Sequence, residues 1–188
     1  MSHDFAQNFS LADRTVLITG ASSGIGAHLA RIAARAGARV VLAARRVDRL
    51  EQVARDVEWE CAQVLSVALD VTDRASVEAA FDAAEARFGV VDVVLNNAGI
   101  GNGQRPLELA RYRIRVNAIA PGYFKTEMNA AFFESDKAKS YIRDLIPMRR
   151  LGQLHELEGP FLLLASDAGG FMTGSVLTVD GGHLVSSI

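Results

Sequence analysis

Short apolar runs alternate with one-sided helical patterns from Thr15 onward, and this alternation narrows the fold of the chain more than any other feature. It is the pattern of an α/β fold with a parallel sheet, in which each helix returns the chain to the edge where the last strand began. The first run is Thr15-Val16-Leu17-Ile18-Thr19 and the second Val40-Val41-Leu42-Ala43-Ala44; Ala62 to Leu69 and Val90 to Asn96 continue the series. Between them lie helical stripes. Ile25, Leu29, Ile32, Ala33 and Ala36 form one, stopped by Gly37, and Leu50, Val53, Ala54 and Val57 form the next. Val77, Ala80, Phe81, Ala84 and Phe88 form the third, opened by Thr72 or Asp73 as cap and stopped by Gly89. Further on, Ile114 to Ala120 and Ser175 to Asp180 read as strands, ended by Pro121-Gly122 and Gly181-Gly182. Asp136 to Leu145 and Leu154 to Ser166 read as helices, the second weakened by Gly159-Pro160. No repeat, low-complexity tract or linker interrupts the series, so residues 1–188 are expected to form a single domain.

Composition excludes several classes of function. With 49% apolar and 22% charged residues among 188, the chain can bury a sizeable core. Its 20 Lys and Arg against 22 Asp and Glu give a formal net charge of −2, which is no footprint for nucleic acid or an anionic membrane surface. The longest apolar run, Phe161 to Ala165, falls far short of the roughly 20 residues that a membrane-spanning helix needs. Met1 to Ala6 lacks a basic stretch followed by an apolar one, so no secretory signal is expected. Cys61 is the single cysteine, which rules out an intrachain disulfide and any multi-Cys metal cluster. A cytoplasmic protein without a metal site is the expectation.

Gly20-Ala21-Ser22-Ser23-Gly24-Ile25-Gly26 stands between a buried strand and an amphipathic helix. There a dinucleotide pyrophosphate meets backbone N–H groups and the positive end of the helix dipole, and glycine lets the phosphates approach closely. The spacing is G-x-x-x-G-x-G and no Lys-Ser or Lys-Thr pair follows, which disfavours a nucleoside triphosphate loop. A tight strand-to-helix turn with no ligand is the plainer alternative. The end of the second strand, Ala44-Arg45-Arg46, offers no carboxylate to bond an adenosine ribose 2′-hydroxyl but does offer guanidinium to grip a 2′-phosphate. NADP(H) is therefore favoured, with NAD(H) as the alternative, unless the arginines are a solvated pair bridging to Asp48 or Glu51.

Taken together, these residues resemble the short-chain dehydrogenase/reductase family, and the resemblance covers most of the chain. Thr19 to Gly26 matches the family's T-G-x-x-x-G-I-G cofactor turn, Asp70-Val71 the pair that contacts adenine, and Asn96-Asn97-Ala98-Gly99 the N-N-A-G motif ending the fourth strand. Arg115-Val116-Asn117, then Pro121-Gly122 and Thr126, resemble the R-V-N and P-G-x-x-x-T elements beside the nicotinamide. Ala165-Ser166-Asp167 through Thr173-Gly174 to Val179-Asp180-Gly181-Gly182 resembles the last helix and strand. The resemblance implies a Rossmann-like doubly wound parallel sheet that binds its cofactor across the carboxyl ends of the strands. It also implies reversible hydride transfer to a small alcohol or ketone, of the 3-oxoacyl reductase or sugar/alcohol dehydrogenase kind. The cofactor-binding residues it points to are Gly20, Ser22, Ser23, Gly24, Ile25, Gly26, Arg45, Asp70, Val71, Asn97, Ala98, Gly99, Pro121, Gly122 and Thr126. Phe124, Met128, Phe132 and Phe133 either line the substrate pocket, as this loop does in the family, or cap the core.

The chain departs from the family at the chemistry. The family protonates the nascent alkoxide with a tyrosine, assisted by a lysine four residues later and a serine on the preceding strand. Here the residues four beyond Tyr112, Tyr123 and Tyr141 are Val116, Glu127 and Leu145, so no Tyr-x-x-x-Lys pair exists and no catalytic residue is assigned. Only about 14 residues separate Gly99 from Ile114, roughly the minimum for one crossover. A strand and two helices of the usual family core are therefore expected to be missing, with the join within Ile100 to Pro106. A naturally shortened relative, a deletion product, and a longer chain whose numbering closes over a gap all fit this pattern. The family's habit of pairing subunits implies a homo-oligomer, although the helices used for pairing fall in the missing unit.

Overall fold

The computed structural model describes residues 5–60, 63–98, 109–127, 129–133 and 135–185. Gly99, Met128 and the expected join at 100–106 lie outside them. The chain divides into two compact units, Met1–Asn102 with Ala165–Asp167, and Gly103–Leu164 with Ala168–Ile188.

The first unit runs β1 (Thr15–Thr19), α1 (Gly24–Arg35), β2 (Arg39–Ala44), α2 (Val47–Trp59), β3 (Val64–Ala68), α3 (Arg74–Phe88) and β4 (Val93–Leu95). Its four strands are all parallel, in the order β3-β2-β1-β4. This is the expected α/β arrangement. Helices cross over both faces of such a sheet, so its inner strands carry apolar residues throughout instead of alternating. Val16, Leu17, Ile18, Val40, Val41, Leu42 and Ala43 are accordingly all fully buried. Leu17, Val41 and Val67 pack with Ala80, Ala84 and Phe88 of α3 in one core cluster. Gly37 ends α1 with φ +95°, a conformation closed to most other residues, and Asp73 caps α3 by accepting from the Ala75 N–H at 3.0 Å. β4 is shorter than Val90 to Asn96 because Asp92 leaves the pattern early. Its carboxylate accepts the Thr15 N–H at 2.8 Å, and its own N–H bonds the Thr15 carbonyl at 3.0 Å.

The second unit holds β5 (Ala118–Pro121) and β6 (Val176–Val179), paired in parallel, with α4 (Ala130–Phe133), α5 (Asp136–Leu145) and α6 (Glu158–Ala165). The expected strand from Ile114 is cut to begin at Ala118, because the residues before it spend their polar groups elsewhere. The Val116 N–H goes to Thr173 Oγ1 at 3.2 Å, and the Asn117 amide spans the Met172 carbonyl and the Ser175 N–H. Arg115 gathers the carbonyls of Leu164 and Gly169. The expected helix from Leu154 is divided into a 3-10 turn, Leu154–Leu157, and α6. Pro160 is the third residue of α6, inside the first turn, where its missing N–H leaves no intrahelical bond unmade.

Candidate cofactor site

β1 and β4 are neighbours in the sheet although three helices and two strands separate them in sequence. The chain leaves β1 toward β2 on one side and arrives at β4 from the other, which opens a crevice at their carboxyl ends. The Gly20 turn lies there. Gly20 and Gly24 have φ of +66° and +60°, which an L side chain would strain. Ser23 caps α1 through an extended backbone, yet its hydroxyl makes no capping hydrogen bond. The first-turn N–H groups of this 12-residue helix thus have no side-chain acceptor at their cap, the donor set that a phosphate completes. On that observation the turn fits a dinucleotide.

Asn97 and Thr19 brace this turn. Asn97 Nδ2 donates to the carbonyls of Thr19 and Gly20, at 3.1 and 3.3 Å. Thr19 Oγ1 accepts the N–H groups of Asn97 and Ala98, at 3.1 and 3.0 Å, and faces the Leu95 carbonyl at 3.4 Å. Thr19 is only 4% exposed, and its valine variant would take the acceptor from the Ala98 N–H while the Asn97 N–H keeps the Leu95 carbonyl at 2.9 Å. We expect Thr19→Val to cost about 1–3 kcal/mol, the range for one unsatisfied group. Thr15 provides the opposite case on the same strand, since its hydroxyl is buried and finds no protein partner. Thr15→Val should leave the melting temperature unchanged or raise it; a fall as large as that of Thr19→Val would refute this account of β1.

Arg46, the residue before α2, points its Nη2 at Ser22 Oγ (3.1 Å) and Ser23 Oγ (3.3 Å). Of the adjacent Arg45 and Arg46, the second is the guanidinium that reaches the turn. The signal was present as an adjacent Arg pair, but the direction of each side chain depends on how β2 passes into α2. Asp70 is held below the usual carboxylate range chiefly by the Thr72 N–H and hydroxyl, with the charge of Arg45 adding to them. Val71 beside it is 44% exposed, an apolar surface available to a flat ring.

In the second unit, Pro121 ends β5 and the Gly122 N–H bonds the Val179 carbonyl at 2.9 Å. A Cβ on Gly122 would lie 2.6 Å from Asp180 Cα, so the backbone just after β6 itself demands glycine here. The Thr126 N–H is taken by Asn129 Oδ1 at 2.7 Å. Phe124 and Phe133 are buried in the core, while Phe132 is half exposed. A cavity of about 500 Å³ opens beside Tyr123, Phe124, Met148, Arg150, Glu156 and Asp180. Arg150 and Glu156 pair there through two bonds of 2.8 and 2.6 Å, and Glu156 also accepts the Gln153 N–H. The Arg150 bonds, then the Gln153 N–H, draw the Glu156 pKa from 4.5 down to about 2. A depressed carboxylate stabilises the fold above its unfolded pKa and loses that contribution as pH falls, here between 4.5 and about 2. Glu156→Gln should therefore flatten the acid limb of a stability curve in that window and leave its shape near neutrality alone.

A glycine turn at the switch point of a parallel sheet is the arrangement in which a doubly wound fold seats a dinucleotide. The chain belongs to the short-chain dehydrogenase family: the family model of that description matches residues 14–109, and one described as enoyl-(acyl carrier protein) reductase matches residues 104–183. It is similar to 5-keto-D-gluconate 5-reductase of Escherichia coli K12, at 28% identity over 250 residues covering 95% of this chain and 98% of that one. It is also similar to gluconate 5-dehydrogenase of Gluconobacter oxydans, at 29% identity with 95% and 97% covered. Among solved structures, a gluconate 5-dehydrogenase from Burkholderia cenocepacia in complex with NADP and tartrate superposes with a TM-score of 0.83 at 28% identity, covering 96% and 99%. An alignment over 250 residues exceeds this chain of 188, so at least 62 positions (250 less 188) have no residue here. The chain is thus truncated relative to these relatives. Among the described residues, no helix is long and apolar enough to cross a membrane, and no cluster of His, Cys, Asp or Glu could hold a metal ion.

Proposed function

We propose that the turn at Gly20–Gly26 binds NADP(H) in preference to NAD(H), and that the complete form of this chain is an oxidoreductase acting on a small hydroxyl-rich alcohol or ketone. The observation that carries the cofactor preference is Arg46 on the Ser22 and Ser23 hydroxyls, a cation already seated where a 2′-phosphate would lie. In this reading Gly20, Gly24, Ile25 and Gly26 with the N-terminus of α1 hold the pyrophosphate, and Ser22, Ser23, Arg45 and Arg46 surround the adenosine phosphate. Asp70 and Val71 flank adenine; Asn97, Ala98 and Gly99 support the ribose; Pro121, Gly122 and Thr126 face the nicotinamide. The nicotinamide supplies or accepts the hydride. The gluconate-acting relatives support a polyhydroxylated substrate.

A second reading is favoured by the tyrosines: none has a lysine four residues on, so the chain as it stands binds the cofactor without turnover. A positioned acid contributes on the order of 10²- to 10⁴-fold, and the missing positions belong, on this reading, between Gly99 and Ile114. Titration with NADPH and NADH, followed by turnover of 5-keto-D-gluconate and an intact mass, tests both. We expect NADPH to bind more tightly than NADH, and turnover to fall at least about 10²-fold below that of the Gluconobacter enzyme. Full-rate turnover by a 188-residue preparation would sink the binding-module reading. Absence of any nucleotide binding would sink both.

A further inference from the structure

Three aromatic rings converge on the chain just after Gly122. The Tyr123 hydroxyl stands 3.0 Å from that of Tyr141 on α5, and Phe133 meets the Tyr123 ring edge-on at 6.0 Å between centroids. The His183 ring also packs edge-on against Tyr123 at 5.4 Å and lies 6.3 Å from Tyr141. His183 Nδ1 is 3.0 Å from the Leu145 carbonyl oxygen. A carbonyl only accepts, so Nδ1 carries a proton whether the ring is neutral or charged. The backbone under this ring is anchored to the end of β6, where Asp180 accepts the N–H groups of Gly182 and Leu184 at 2.8 and 2.7 Å. One imidazole therefore joins the turn after β6, the segment after β5 and the last turn of α5.

We propose that His183 is a positioning residue for the nicotinamide end of the bound cofactor. By holding Tyr123 and the Leu145 carbonyl, it fixes the backbone that leaves Pro121-Gly122. This rests on the cofactor reading above, which sets Pro121, Gly122 and Thr126 at the nicotinamide. The phosphate turn takes its support from Thr19, Asn97 and Arg46 instead. The two ends of the cofactor should therefore respond differently to loss of the imidazole.

The test compares NADPH with 2′,5′-ADP, which carries the adenosine and its 2′-phosphate but no nicotinamide. His183→Ala is expected to weaken NADPH about threefold to tenfold, the worth of one hydrogen bond, and to leave 2′,5′-ADP unchanged. Amide hydrogen exchange should quicken over 123–127 and 136–145 and stay the same in β1 and β2. His183→Asn, whose amide N–H can replace Nδ1–H toward Leu145, should recover most of the NADPH affinity, and His183→Phe should not. Unchanged NADPH affinity, equal weakening of both ligands, or no recovery with asparagine would each overturn the assignment. Wild-type protein that binds neither probe sinks the cofactor reading itself, before any variant is made, and the role of His183 with it.

Discussion

Gly26→Ala is expected to lower the melting temperature by roughly 2–12 °C, taking about 1–3 kcal/mol for an overpacked site and about 2–4 °C per kcal/mol at this size. Helix propensity alone predicts the opposite sign, because alanine stabilises a helix interior by about 1 kcal/mol over glycine and Gly26 is the third residue of α1. The neighbours decide the matter. A Cβ on Gly26 would stand 2.6 Å from both Asn97 Nδ2 and the Gly20 carbonyl oxygen, and the second of these is backbone that cannot swing aside. Asn97→Ala removes only one of the two contacts, so the double variant should lose less than the sum of the single losses. A melting temperature equal to or above that of the wild type would show that the turn opens readily, and would remove this explanation of the glycine. The loss belongs to the protein's own packing, so it should appear with no nucleotide present.

Arg46→Glu is expected to weaken NADPH by about 10- to 150-fold, the equivalent of roughly 1.5–3 kcal/mol for a hydrogen bond to a charged group. NADH should hold its affinity or bind more tightly, because it has no 2′-phosphate to repel the new carboxylate, which can accept a hydrogen bond from the ribose 2′-hydroxyl. Arg45→Glu should cost less, since the charge of Arg45 acts on the Asp70 side of the site. Isothermal titration of the two variants with both nucleotides ranks them. A larger NADPH loss at Arg45 than at Arg46 would reverse the assignment, and no loss at either would leave the 2′-phosphate without a partner in this chain.

The first unit is legible from sequence because its signals are local. A run such as Val40–Ala44 has no polar face and must be buried on both sides, and Gly37 and Gly89 mark helix ends within one turn. What sequence could not supply are contacts between distant residues. Asn97 reaches back 77 residues to the Gly20 carbonyl, and nothing in N-N-A-G taken alone says that its amide fills the space above two glycines. Gly26 thus looks like a phosphate requirement, although packing already demands it. The choice between Arg45 and Arg46 turns on a single residue of chain direction at the start of α2. The fifth expected strand is too long by four residues at its start, since side chains of Thr173 and Asn117 there do the bonding that a ladder would otherwise do. Likewise, His183 meets Leu145 and Tyr123 through contacts 38 and 60 residues apart, which no local spacing reveals.

The brace between Asn97 and the Gly20 turn also sets an order of events for the chain emerging in synthesis. The turn is written into residues 20–26, yet the carbonyls of Thr19 and Gly20 at its start wait for an amide that arrives only after β4 has docked beside β1. A long loop must close before that contact forms, so the nucleotide turn matures late although it lies early in the sequence. Nucleotide that binds only the finished turn stabilises the closed form by mass action. On the cofactor reading proposed above, its capture would report that residue 97 has reached its place, and a chain cut short of β4 should have no grip on the phosphates.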